Sequence, residues 1–166
     1  MSLTIRDARL SDAPELAALM CELGYETTSA EMGERLRLIL GDARYSTFVA
    51  ETDDQLCGIV GTLTHAGHEH NDPCGKIIAL VVSKAHQRSG IGRALITAAE
   101  KNFASRNVSR VTLTTRFERG GAARFYEALG YAKTGFRFAK KCSDNHSRVN
   151  AQRDSQVRKS KSSSCL

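Results

Sequence analysis

Ile77-Ile-Ala-Leu-Val-Val-Ser-Lys-Ala-His-Gln-Arg-Ser-Gly-Ile-Gly-Arg-Ala-Leu95 is the stretch on which the reading of this chain turns. It opens as a short apolar run rich in Ile and Val, which predicts a buried strand from about Ile77 to Ser83. It closes as a helix, because Leu95, Ile96, Ala99 and Phe103 recur at helical spacing. Between the two lies Gln87-Arg88-Ser89-Gly90-Ile91-Gly92-Arg93, a loop that runs straight into the first turn. A helix start carries backbone N–H groups without internal partners and a partial positive charge, so it suits a phosphate. Gly90 and Gly92 would remove the Cβ atoms that keep an anion away from those amides. The field of a helix end is worth only about 0.3–2 kcal/mol, so several N–H bonds and a flanking arginine must add to it.

Two widespread phosphate loops fail on spacing. A P-loop needs Lys-Ser/Thr after its last glycine, and Gly92 is followed by Arg93-Ala94. A dinucleotide fingerprint needs a third glycine or alanine where this chain has Leu95. What remains, Gln87-x-x-Gly90-x-Gly92 after a strand and before a helix, resembles the pyrophosphate loop of the GNAT acetyltransferase superfamily, which binds acetyl-CoA. A glycine-softened strand-to-helix turn with no ligand is the plainer reading of the same residues.

At 166 residues one domain with a real core is expected, and the apolar fraction of 41% is that of a globular protein. No apolar run approaches the length of a membrane span, and Met1-Ser-Leu-Thr-Ile-Arg has no signal-like apolar region, so a cytoplasmic protein without membrane contact is expected. Cys21, Cys57, Cys74, Cys142 and Cys165 show neither paired nor metal-like spacing and read as reduced, mostly buried thiols. The net charge of +6 is unevenly spread: residues 140–166 hold seven Lys/Arg against two Asp, and the rest of the chain holds 17 basic against 16 acidic residues. The basic character therefore belongs to the tail. Division into a domain over 1–140 and a basic, Ser/Arg/Lys-rich, disordered tail over 141–166 follows from the scarcity of apolar residues beyond Ser143. A solvated extension is one account of it, and an electrostatic arm for nucleic acid or acidic partners is the other.

Along the folded part, Leu3 to Arg9 alternates as a first strand. Ser11-Asp-Ala-Pro-Glu signals a helix start, with Leu16, Leu19, Met20 and Leu23 inward and Gly24 as its end. A loop at Gly24–Thr28 precedes a helix capped by Ser29 and running to about Leu40. Tyr45–Glu51 and Leu56–Thr64 are strands of a hairpin around Asp53-Asp54, with Gly58 and Gly61 marking a bulge or a close backbone approach. A polar loop over His65–Gly75 leads to the central strand. After its helix come a strand at Arg110–Thr115, a helix at Arg119–Leu129 and a last strand at Tyr131–Phe138. The order β-α-α-β-β-β-α-β-α-β predicts an α/β fold with an open mixed sheet and helices on both faces.

That order is also the GNAT order, and a second segment adds to the resemblance. Ala122-Ala-Arg-Phe-Tyr-Glu-Ala-Leu-Gly-Tyr131 is similar to the Ala-x-x-Phe-Tyr-x-x-Leu-Gly-Phe/Tyr segment of the superfamily, and Leu80-Val-Val82 to the strand before its cofactor loop. The resemblance covers about Leu3 to Lys140 and implies a three-layer fold whose fourth and fifth strands splay apart to admit the pantetheine arm. It gives that pairing to the main chain of Leu80, Val81 and Val82, and the oxyanion-stabilising amide to Leu80. It gives the pyrophosphate to Gln87, Arg88, Ser89, Gly90, Ile91, Gly92 and Arg93. Leu80, Val81 and Val82 also read as core by their side chains, and Gln87 and Arg88 as ordinary solvated residues.

Tyr126 is the side chain to which the resemblance assigns catalysis, as the acid facing the departing thiolate. A phenol near pKa 10 is a weaker acid than a thiol near 8.5, a mismatch of roughly 2 kcal/mol, so a strong hydrogen bond to sulfur is favoured over full transfer. The plainer reading is an amphipathic-helix tyrosine packed with Phe125 and Leu129, while Tyr131 reads as core. Some GNAT enzymes place a glutamate base four residues before the oxyanion amide. Here that position is Lys76, which leaves His65, His68, Glu69, His70 and Asp72 of the adjoining loop as acceptors through water. His65-x-x-His68-x-His70 invites a zinc reading but sits on a loop without another firm ligand, and no metal is expected. Where many relatives have Asn before the tyrosine segment, this chain has Arg119-Gly-Gly, with Arg119 within reach of a phosphate. Tyr25 and Glu26 lie where relatives cover the acceptor. The implied function is an N-acetyltransferase that moves acetyl from acetyl-CoA to a primary amine of a small molecule, by direct attack in a ternary complex. A protein N-terminus or lysine as acceptor, and a sensor that binds acetyl-CoA without turnover, stand as alternatives. A homodimer, common among such proteins, stays open.

Overall fold

In the computed structural model residues 2–115 and 120–140 are described, and they divide between two compact units, Met1–Lys133 and Thr134–Leu166. Among the described residues the regular structure lies in the first unit: β1 (Leu3–Asp7), α1 (Ala13–Glu22), α2 (Ser29–Leu40), β2 (Tyr45–Thr52), β3 (Gln55–His65), β4 (Cys74–Val82), α3 (Ile91–Ser105), β5 (Arg110–Leu113) and α4 (Gly120–Glu127). The strands form one mixed sheet in the order β1-β2-β3-β4-β5, antiparallel except for the parallel pair β4–β5. The α/β fold class and the strand order agree with the sequence reading.

Alternation along the strands builds the two cores. Val49, Ile59 and Val81 point to one face, where they meet Leu16, Leu19, Met32 and Leu36 of α1 and α2. Their neighbours Ala50 and Val60, with Ile77, point to the other and meet Leu95, Ile96, Ala99 and Phe103 of α3. Phe103 is 1% exposed, and burying such a side chain contributes about 1.5–3 kcal/mol. Gly58 and Gly75 let α3 come this close. A Cβ on Gly58 would lie 3.0 Å from Leu95 Cδ1, and one on Gly75 would lie 2.8 Å from Phe103 Cε1. The expected approach at Gly58 is therefore real, and the expected bulge falls at Gly61/Thr62. Asp53 and Asp54, at φ 50° and 61°, form the two-residue hairpin loop with both residues left-handed.

Several boundaries differ from the sequence reading. β4 starts at Cys74, because pairing with β3 down to His65 draws residues from the expected loop into the sheet. The cap of α2 is Thr28, whose hydroxyl accepts from the amide of Glu31 at 3.2 Å while the Glu31 carboxylate accepts from the Thr28 amide at 2.8 Å. Ser11 does not cap α1. It sits in a 3-10 turn, Leu10–Asp12, that feeds the helix, and Asp12 accepts from the Arg9 amide at 2.7 Å. Buried Asp12 also takes both terminal nitrogens of Arg6 at 2.9 Å, and that guanidinium holds its carboxyl below the usual range. Arg6 reaches Glu51 as well, tying β1, β2 and the start of α1 together.

The strand expected over Tyr131–Phe138 is not formed. Residues 131–140 carry no regular structure, and Phe136 and Phe138 are exposed. Of the thiols, Cys57 alone among Cys21, Cys57 and Cys74 is buried. The expected tail over 141–166, with Cys142 and Cys165, and the expected helix start at Arg119 lie outside the described residues. Among the described residues no helix is long and apolar enough to cross a membrane.

Candidate acyl-donor site at the open edge of the fourth strand

The register of β4 decides where its main-chain groups point. The amide of Ser83 donates to Cys57 O at 2.8 Å, so Ser83 and Cys57 are a hydrogen-bonded pair of the β3–β4 ladder. In an antiparallel ladder such pairs alternate, so Val81 and Ala79 also bond to β3. Val82 and Leu80 then direct both N–H and C=O to the opposite side, toward β5. There, among the described residues, no strand partner is paired: the β4–β5 ladder runs from Cys74–Arg110 to Ile77–Leu113 and does not extend to Thr114 or Thr115, while β4 continues to Val82. The main chain of Leu80 and Val82 thus lies beyond the last β4–β5 pair, on an edge left open among the described residues. Val81 belongs to the other set, its groups committed to β3 and its side chain buried under α1 and α2.

Beyond this edge a 3-10 turn, Lys84–His86, reverses the chain. Ser83 Oγ meets His86 Nδ1 at 2.8 Å, and Ser89 Oγ donates to His86 O at 2.5 Å, so the Ser89 hydroxyl is spent on the turn. Arg88 stands at φ 62° and Gly90 at φ 87°, two left-handed residues leading into a right-handed helix. Such alternation folds successive N–H groups into a concavity that suits an anion. The first bond into α3 is Ala94 N–H to Gly90 O at 3.0 Å, so the amides of Ile91, Gly92 and Arg93 precede the helical ladder. Arg88, Ser89, Gly90 and Arg93 are exposed, and Ile91 is buried and anchors the turn to the core.

The two glycines differ from expectation in their reasons. A Cβ on Gly90 would meet nothing within 4 Å, and what Gly90 supplies is its backbone angle. A Cβ on Gly92 would lie 3.3 Å from Phe125 Cζ, so Gly92 makes room for a ring of α4 rather than for an anion alone. Through that ring α4 comes into the site. Tyr126 is half-buried on it, edge-on to Phe125 at 5.1 Å and to Tyr131 at 5.9 Å between ring centroids. Leu80, Val82, Phe125, Tyr126 and Tyr131 all pack against the buried cluster of α3. Tyr131 donates to Glu100 Oε1 at 2.8 Å, and burial first, then that carboxylate, pushes its phenol well above the ordinary value.

Three contacts here have no signal in the sequence. Gln87 Nε2 donates to Val82 O at 3.3 Å, placing the first residue of the loop on the open edge itself. Glu22 at the end of α1 accepts from the Lys84 amide at 2.9 Å, which ties the loop carrying Tyr25 and Glu26 to the turn after β4. The third is Tyr131–Glu100. By contrast, the structure does not gather the proposed bases. His65 and Cys74 pair at the far end of β4, roughly 20 Å from Leu80 at the usual strand rise, and His68, Glu69, His70 and Asp72 lie exposed on the loop between them. Among the described residues no three His, Cys, Asp or Glu side chains come together. A shallow hollow of about 430 Å³ is lined by Ile5, Gly90, Arg93, Ala98 and Lys101, on the flank of α3 turned away from Gly92, and does not include Leu80, Val82 or Tyr126.

Residues 13–131 match the acetyltransferase (GNAT) family. N-acetyltransferase family 8 member 3 of Rattus norvegicus is 33% identical over 94 residues, covering 56% of this chain and 41% of that protein. A mycothiol acetyltransferase of Thermobispora bispora is 33% identical over 87 residues, covering 52% of this chain and 30% of that protein. The chain thus spans less than half the length of these relatives. The solved structure of a transcriptional regulator from Bacillus halodurans C-125 superposes with a TM-score of 0.79 at 21% identity, covering 85% of this chain and 100% of that one, a likeness of fold.

Proposed function

This chain belongs to the acetyltransferase (GNAT) family, and from that premise we propose that it moves the acetyl group of acetyl-CoA to a primary amine of a small molecule, by direct attack in a ternary complex. One observation carries the reading. The main-chain groups of Leu80 and Val82 lie on the open edge beyond the last β4–β5 pair, and the free amides of a helix start follow within about a dozen residues. A pantetheine arm with its amides needs the first, and a diphosphate needs the second. Bound acetyl-CoA would supply the activated acetyl group. Everything else falls to the chain.

Leu80 N–H is the donor aimed at the acetyl oxygen, where negative charge grows as the amine adds; a preorganised donor of this kind contributes about 3–4 kcal/mol. Val82 pairs with the arm, and Gln87 shares or yields the Val82 carbonyl. The amides from Arg88 to Arg93 hold the diphosphate, with the Arg88 and Arg93 side chains adding charge. Tyr126 lends its phenol to the sulfur as the thiolate departs. The names of the two relatives support acetyl transfer, and mycothiol acetyltransferase by name favours a small acceptor. An alkyl ammonium near pKa 10.4 leaves only about one amine in a thousand free at neutral pH, and His65, His68, Glu69, His70 and Asp72 lie at or beyond the far end of β4 from Leu80, so water is the first proton acceptor.

Thiol release from acetyl-CoA, followed across a panel of amines, tests the reading. Turnover with any small amine supports it, whereas acetyl-CoA binding without release would leave a sensor, and release with peptides alone would move the acceptor to protein. Tyr126→Phe should lower kcat roughly 10- to 100-fold and leave acetyl-CoA affinity within about twofold. A variant that loses cofactor binding instead assigns Tyr126 to packing.

A further inference from the structure

Lys76 occupies a place in the sheet that its sequence position hides. The register of β3 and β4 slips between Gly61 and Thr62, where Gly61 pairs with Ala79 and Thr62 with Ile77, leaving Ile78 without a partner. This bulge is why Ile77 and Leu80, three residues apart, both pack on the α3 side. Below it Gly75 faces Phe103 and Ile77 is in the same cluster, so Lys76 between them points to the opposite face, the one that carries α1 and α2. Those helices leave this part of the face open. Ile78 is 42% exposed, and the Gly61 Cβ position lies 3.3 Å from Ile78 Cγ1, on the side shared with Ile59.

Lys76 therefore stands half-buried on an uncovered part of the sheet, one residue before the last β4–β5 pair at Ile77–Leu113. Its cross-strand neighbours are Leu63 and Thr112, both neutral, and Arg110 adds a second cation two positions back on β5. Among the described residues, none of the ion pairs includes Lys76. The ammonium of a half-buried lysine whose cross-strand neighbours are neutral is stabilised by any anion that comes beside it.

The position fits the acceptor. The donor approaches the opening from the α3 side, where the helix-start amides are, so the amine reaches the acetyl carbon from the side of Lys76 and the α1–α2 loop. Three residues of β4, one of them the bulge, separate Lys76 from Leu80, roughly 10–13 Å of strand. A lysine side chain is about 6 Å long, and leant along the strand toward Leu80 it would leave a gap of the size of a small amino acid.

Resting on the acetyl-transfer reading, we propose that Lys76 is a specificity-determining residue that pairs with an acidic group of the acceptor, so that the preferred substrate is a primary amine bearing a carboxylate or phosphate a few bonds from its nitrogen. Polyamines and other polycations are correspondingly poor acceptors. The residue belongs to the acceptor side of the site and leaves donor binding alone.

The test is steady-state kinetics of the full chain with acetyl-CoA and matched acceptors: phenylalanine, phenylalaninamide, phenethylamine, O-phosphoethanolamine, ethanolamine and spermidine. Acid-bearing amines should exceed their neutral partners by roughly tenfold to a hundredfold in kcat/KM. Lys76→Met should erase that gap by raising KM for the acid-bearing amines alone, with kcat and the KM of acetyl-CoA unchanged. Lys76→Arg should restore it, and Lys76→Glu should turn the preference toward spermidine. Transfer that is indifferent to the acid, or a Lys76→Met variant that keeps the gap, overturns this proposal and leaves acetyl transfer standing. Absence of thiol release with every amine overturns both.

Discussion

At Gly90 the backbone stands at φ 87° with open space where a Cβ would go, while at Gly92 the angle is ordinary and the space is filled by Phe125. Substitution at the two sites should therefore fail in different ways. Gly90→Ala forces an L-residue into the left-handed region beside Arg88, which already occupies it, at a cost of about 1–2 kcal/mol. The loop would relax, and CoA affinity would fall with the stability. Gly92→Ala gains about 1 kcal/mol of helix propensity in the first turn of α3, which offsets much of the strain of a methyl 3.3 Å from a ring atom. Its stability should change little, but Phe125 must move and Tyr126 with it, so kcat should fall several-fold while CoA still binds. Urea unfolding beside calorimetric titration with CoA separates the two patterns. Loss of CoA binding in both variants, with kcat untouched in neither, would show that the glycines serve one common purpose. The spacing of these glycines was visible from the residues alone, but their separate reasons were not, because a contact with Phe125, more than thirty positions away, leaves no trace in local pattern.

α4 ends in a turn that fixes its aromatic residues. Gly130 is left-handed at φ 89°, the Gly130 amide bonds to Glu127 O, and the Tyr131 amide bonds back to Tyr126 O, each at 3.0 Å. This closure satisfies the last carbonyls of the helix and locks Tyr131 to Tyr126. Tyr131 in turn rests edge-on against Tyr126 and donates to Glu100 on α3. Tyr131→Phe keeps the ring and removes the tie between helices. The expected result is a loss of about 1–2 kcal/mol of stability, since the Glu100 carboxylate loses a hydrogen bond but stays exposed to water, and a two- to tenfold drop in kcat with the acetyl-CoA KM unchanged. Equal kcat in the two proteins would mean that Tyr126 holds its place without this support. Helix α4 and its glycine end were legible in Ala122–Tyr131, as were the α3 face and the Asp53-Asp54 hairpin, because each is encoded within a dozen residues. The strand expected just after, over Tyr131–Phe138, was not realised. Alternation of Phe136 and Phe138 says that a segment can pair, and says nothing of whether a partner edge takes it. β5, the neighbour it would need, is only four residues long. The bulge itself was signalled by Gly61, but the residue of β4 left over at it, Ile78, was not: register is a property of two strands, and it alone reveals which face Lys76 occupies.

At the scale of the whole sheet, the β4–β5 ladder stops at Ile77–Leu113 and leaves main-chain groups of β4 without strand partners among the described residues, while the ladders from β1 to β4 are complete. An unpaired backbone group costs stability unless water or a ligand completes it. Donor binding and the stability of the sheet are therefore coupled. Acetyl-CoA at 100 times its Kd should stabilise the native state by about 2.7 kcal/mol, which for a chain of 166 residues is a rise in Tm of about 5–10 °C. A general rise of that size would follow from binding anywhere, so the discriminating measurement is amide hydrogen exchange resolved by residue. Leu80 and Val82 point their amides into the opening and should gain protection on addition of acetyl-CoA well beyond the global increment. Ala79 and Val81 alternate with them along the same strand, already bond to β3, and should follow the global increment only. Pantetheine without the nucleotide should protect Leu80 and Val82 but not Ile91 to Arg93, and ADP the reverse. If all four β4 amides respond alike, the arm does not pair with this edge, and the donor must be held by the loop before α3 alone.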